Sequence, residues 1–134
     1  MDWKHFLLAL LVAGVAASFA DWLFAGVLFH KKYLAHPEVW RPSLKQSDAG
    51  PIAWSTALGF VSVAAFLLCC DAFGIHGYSA TLKFACLAWL MVPVPLTITN
   101  ALFIKIHPLI VVSHSLGWLA KLVLAALATA WFLS

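Results

Sequence analysis

Four polar side chains stand inside otherwise apolar stretches of this chain: Asp21, Asn100, His114 and Lys121. An ionisable group inside a membrane helix costs from ~3 to more than ~10 kcal/mol, so each needs a partner or a task. A carboxylate beside an ammonium stays charged, whereas a neighbouring imidazole can take up or release a proton near neutral pH. Asp21, His114 and Lys121, with Asn100 as a hydrogen-bonding neighbour, are therefore the residues expected to bind a ligand or couple to protons. The competing reading is structural, a buried ion pair that fixes helix register and adds little net stability.

The elements that must position these groups follow from hydropathy. Of 134 residues 64% are hydrophobic and only 10% charged, too few polar residues to make the surface of a soluble domain. Four apolar runs, at about residues 4–30, 52–71, 80–104 and 108–132, each reach the ~20 residues that cross a bilayer as helix. The expected fold is all-α: a single polytopic membrane domain, a four-transmembrane-helix bundle with both termini on one side. Met1 to Ala20 imitates a secretory signal, but the apolar run continues through Trp22 to Phe29 and makes a full span.

Residues 31–51 form the one substantial loop, with Lys31, Lys32, Arg41, Lys45 and three prolines, Pro37, Pro42 and Pro51. Together with Lys105 these cations outnumber Lys4 and Lys83 at the opposite ends. By the positive-inside rule the loop is cytoplasmic and the termini extracytoplasmic. Trp3 and Trp131 then share the outer interface, and Trp40 and Trp54 the inner one. At ~1.5 Å per residue, Asp21 lies ~13 Å from the cytoplasmic helix ends, His114 ~10 Å, Asn100 ~6 Å and Lys121 ~20 Å. Asp21 and His114 are nearly level, and an extended Lys121 can reach toward Asp21.

Spacing adds detail to three helices. Gly14, Ser18, Asp21 and Ala25 recur at four, three and four residues, a stripe along which a second helix can approach closely. Ser55, Gly59 and Ser62 repeat that spacing in the second span. In the third, Pro93 and Pro95 break the hydrogen-bond ladder and predict a kink, with Pro93, Thr97 and Asn100 on one face. His107, His114 and Lys121 are separated by sevens along the fourth, with Gly117 between the upper two.

The same composition excludes several classes. A net charge of +3 arises from a few clustered cations and lacks the basic face that nucleic-acid binding needs. Cys69, Cys70 and Cys86 show no metal-ligand spacing and read as packing residues; no metal is expected. No Ser/His/Asp set, phosphate loop or paired carboxylates within one span appear, which argues against an enzyme. A haem or pigment needs a deep histidine; His114 is the candidate, and a bis-His haem would take a second chain's His114.

The run Trp22-Leu23-Phe24-Ala25-Gly26-Val27-Leu28-Phe29, followed by Lys31 and Tyr33, resembles the end of the first helix in a bacterial family of small four-helix membrane proteins of unknown function. There an aromatic pair precedes a Phe, a Lys and a further aromatic in the same order. Asn100 and the Gly117 region are similar in placement, so the resemblance spans most of the chain. It departs at Asp21 before the Trp and at Leu23 where a Tyr is expected. The resemblance implies a four-helix bundle in a bacterial inner membrane and carries no activity with it.

Two functions remain. The first is a small ion- or proton-coupled transporter, similar in size and helix count to small multidrug transporters, which carry a Glu and lack an intramembrane Lys. One chain of four helices is small for a lumen, so a homo-oligomer is implied. The second is a non-catalytic accessory subunit docked on partner membrane subunits.

Overall fold

The computed structural model describes residues 2–39 and 48–133. Among these residues every regular element is helical, in the order α1 (Trp3–Trp22), a π-helix (Leu23–Leu28), α2 (His30–Leu34), a 3-10 turn (Pro37–Val39), α3 (Ala49–Ala72), α4 (Tyr78–Met91), α5 (Pro93–Phe103) and α6 (Pro108–Phe132). Among the described residues four stretches are long and apolar enough to cross a bilayer: Trp3–Leu28, Ala49–Ala72, Tyr78–Phe103 and Pro108–Phe132. The protein is a helical bundle of the membrane type. Trp40, Arg41, Pro42 and Lys45, assigned above to the inner interface and the loop, lie outside the described residues.

Local chemistry sets the helix ends. Asp2 caps α1 by accepting a hydrogen bond from the Lys4 amide at 2.9 Å. His107 caps α6 in the same way, its Nδ1 accepting from the Leu109 amide at 3.2 Å, with Pro108 in the first turn where no amide is needed. Between α3 and α4 the chain reverses through Gly74 and Gly77, at φ +63° and +75°, values that a side chain would strain. The third span is made of two helices. α4 stops at Met91, Val92 takes φ −122° and ψ −67°, and α5 restarts at Pro93, whose ring cannot extend an existing helix. Thr97 Oγ1 donates to the Pro93 carbonyl at 2.7 Å.

α6 is the central element, packing on α1, α3, α4 and α5. Its contact surface and that of α1 are built from small residues. Ala9, Ala13 and Ala17 meet Leu122, Ala125, Ala126 and Ala128, with Val63, Phe66 and Leu67 of α3 completing the core. Alanines every fourth residue let backbones approach and gain dispersion contacts, which is the main attraction available between helices in lipid. The packed face of α1 runs Phe6, Ala9, Ala13, Gly14, Ala17 and Ala20; of the stripe expected above, Gly14 is thus buried, Ser18 and Asp21 are half-buried, and Ala25 is exposed. The Phe60 ring of α3 fills the space over Gly14. From α4, Trp89 Nε1 donates to the Ser115 carbonyl of α6 at 2.7 Å. Leu7, Leu11, Val15, Val61, Leu87 and Leu96 point outward, as lipid-facing side chains do.

Asp2, His5, Asp71, Trp131 and Leu133 line one cleft. The first and last described residues therefore lie at the same end of the bundle.

Candidate functional site: an intramembrane ion pair

Asp21 is the penultimate residue of α1, and the helix widens immediately after it into the π-helix. The Phe29 amide bonds to the Phe24 carbonyl five residues back, at 3.0 Å. π turns inside helices are rare and frequently mark functional positions. Lys121 lies near the middle of α6. Helical side chains lean toward the N-terminus of their own helix, so the butylammonium chain runs back along α6 toward Gly117. It ends with Nζ 2.9 Å from Asp21 Oδ2.

Three residues shape the space around this pair. Gly117 faces the carboxylate: a Cβ there would stand 3.8 Å from Asp21 Oδ1. Gly59 of α3 faces the ammonium, and a Cβ there would stand 3.6 Å from Nζ. The Trp118 ring lies 4.7 Å from Nζ, a cation-π distance that offsets part of the desolvation of the charge. The two partners are unequally sheltered, with 9% of the Lys121 side chain exposed against 34% for Asp21. The ammonium is enclosed by α1, α3 and α6; the carboxylate keeps one open edge.

The other two residues stand apart from the pair. His114 lies one turn below Gly117 on α6 and is exposed at the bundle surface, within electrostatic reach of Asp21 and Lys121. Asn100 is half-buried on α5, its carbonyl accepting from the Ile104 amide at 2.8 Å to close the last turn. Among the described residues neither side chain bonds to Asp21 or Lys121. Lys121 and His114 are seven residues apart and share a helix face, yet Lys121 is buried and His114 is exposed. Trp118 went unnoticed in the sequence. Its position three residues before Lys121 places it on the same face and was the available signal.

A protein family described as being of unknown function, DUF1761, matches residues 8–130. The chain belongs to this family. No curated protein and no solved structure matches it. The matched region of this DUF1761 protein takes in Asp21, Gly59, Gly117 and Lys121 and so contains the whole ion-pair site. Among the described residues no group of three or more His, Cys, Asp or Glu is arranged to hold a metal ion.

Proposed function

We propose that this DUF1761 protein is a small proton-coupled transporter that works as an oligomer, with Asp21 as the group that exchanges protons and Lys121 as its fixed counter-charge. The observation that carries the reading is the unequal exposure of the pair. Enclosed or partly open, an ion pair adds little net stability, so packing alone does not call for one enclosed and one open partner. An open carboxylate against a closed ammonium instead leaves Asp21 accessible to a proton donor. His114 stands at a similar depth on the surface of α6 and is suited to pass that proton.

In this reading the path to Asp21 runs between copies of the chain, along the open edge of Asp21 and the exposed His114. The positive-inside rule, applied to Lys31, Lys32 and Lys105, supports the further reading that the α2 end faces the cytoplasm of a bacterial inner membrane, with the termini outside.

The test is proton flux into liposomes loaded with a pH-sensitive dye, driven by a potassium diffusion potential. Wild type is expected to acidify the lumen faster than protein-free liposomes, and Asp21→Asn to return the rate to that background. Asp21→Asn/Lys121→Met, which removes both charges together, serves as a folded control and is expected to be equally silent. Flux that survives Asp21→Asn, or no flux from wild type, overturns the proposal.

The exposed His114 also favours a second reading, an accessory subunit whose partner covers that face. A different membrane protein co-purifying at fixed stoichiometry would support it.

A further inference from the structure

The imidazoles of His36 and His107 are stacked at the end of the bundle where the polar segment after α2 meets the start of α6, with ring centroids 4.0 Å apart and planes inclined by 32°. Each ring has a second commitment. His36 Nδ1 lies 3.0 Å from Glu38 Oε1, and His107 Nδ1 receives the Leu109 amide at 3.2 Å. Stacked rings turn faces rather than nitrogens toward each other, and a metal at His107 Nε2 would require a proton on Nδ1, where the cap needs a lone pair. The arrangement does not suit metal binding.

It does suit a response to acid. An acceptor nitrogen must be unprotonated, so the His107 cap holds while that ring is neutral. The charged and titratable groups on the elements around the stack, among the described residues, are His30, Lys31, Lys32 and Tyr33 on α2, Glu38, and Lys105 just before α6, with His30 and all three lysines exposed. Glu38 is the one carboxylate among them. Its own backbone amide, then His36, then the charge on His107 hold it below the usual glutamate range, so it remains ionised in mild acid. An imidazolium at His36 faces the Glu38 carboxylate at 3.0 Å. A proton on His107 Nδ1 would remove the Leu109 hydrogen bond and set a positive charge at the positive end of the α6 dipole, and with both rings charged two imidazoliums would stand at stacking distance.

We propose that His36 and His107 form an acid-released latch, which holds the segment after α2 on the start of α6 at neutral pH and frees it when His107 is protonated. The segment joins the first span, which carries Asp21, to α6, which carries Lys121. Release would thus loosen a direct tie between the two helices that hold the ion pair, although the latch stands independently of the transport reading.

The test is hydrogen exchange on the full-length protein in lipid nanodiscs, expressed as protection factors so that the intrinsic pH dependence cancels. Between about pH 7.5 and about pH 5, the range over which histidines charge, wild-type protection at Leu109 and Ile110 and across residues 30–39 should fall. The expected loss is roughly five- to tenfold, the factor that a helix-capping hydrogen bond is worth. His107→Asn keeps a capping acceptor that cannot titrate and should hold wild-type neutral protection throughout. His36→Phe keeps a ring in the stack without its charge and should halve the logarithmic loss. Protection in wild type that does not change with pH, or a loss in His107→Asn equal to that of wild type, overturns the proposal.

Discussion

Lys121 Nζ sits between a carboxylate oxygen of Asp21 at 2.9 Å and the Trp118 ring at 4.7 Å, so its charge is held by one anion and one π face with helix walls around them. The partners are not interchangeable. Asp21→Asn strands an ammonium that has little access to solvent, whereas Lys121→Met leaves a carboxylate that can neutralise itself by taking up a proton. Removing one member of a buried pair costs about 3–5 kcal/mol, and the open edge of Asp21 argues for the lower end. Thermal unfolding in mild detergent should rank Asp21→Asn below Lys121→Met, with the double variant recovering part of the loss. If the double variant is as unstable as the sum of the two singles, the charges do not interact.

The contact between Gly14 and Phe60 yields a steric prediction. A Cβ at position 14 would overlap the Phe60 ring, so Gly14→Ala must displace that ring from α1. Overpacking of this kind costs about 1–3 kcal/mol. Gly14→Ala in a Phe60→Ala background should cost much less, because the obstructing ring is gone. Equal losses in the two backgrounds, measured by thermal unfolding, would show that the ring does not govern the approach of α3 to α1.

Trp89 supplies a hydrogen bond between spans, from its indole to the Ser115 carbonyl at 2.7 Å. Trp89→Phe keeps most of the ring and removes the donor. Interhelical hydrogen bonds in bilayers average about 0.6 kcal/mol, so the expected effect is a small drop in unfolding temperature with α4 still docked. A loss several times larger would mean that the indole contributes mainly through shape.

At the start of α1 the pH dependence has a definite sign. The Lys4 amide, and secondarily His5, hold the Asp2 carboxyl below the ordinary aspartate range. A depressed folded-state value contributes stability that is present above the unfolded value and is lost as pH falls through the folded one. Amide protection in the first turn, at Lys4 and His5, should therefore be constant around neutrality and decline only in strong acid. Asp2→Ala should show the unprotected rate at every pH. A decline centred on the histidine range would assign the effect to His5 instead.

Hydropathy made the four spans readable, because a helix in lipid must satisfy its own backbone and apolar runs of that length have few other uses. Asp21 and Lys121 stood out for the same reason, and helical rise brought them within reach of one another. Which side of each helix is packed was much harder to read. In a span that is apolar all round, lipid-facing and protein-facing residues have the same polarity: of the stripe Gly14, Ser18, Asp21 and Ala25, Gly14 is buried against Phe60 and Asp21 meets Lys121, but Ala25 is exposed, and the stripe leaves out Ala9, Ala13 and Ala17 of the core. The four-residue recurrence of those alanines was the signal available. Ala25 lies within the π-helix, where the α-helical spacing that grouped it with Asp21 no longer applies, and no side chain between Leu23 and Leu28 announces that change.

That widened turn also decouples the two ends of the first span. A residue accommodated beyond the α-helical count rotates everything after it by about 100° around the axis. Asp21 can therefore keep its azimuth toward α6 while Lys31 and Lys32 take whatever azimuth the membrane surface requires, and neither constrains the other. Deleting one residue between Leu23 and Leu28 would restore a plain α-helix and with it a single shared azimuth. The first span is in this sense two helices with independent bearings, joined without a loop.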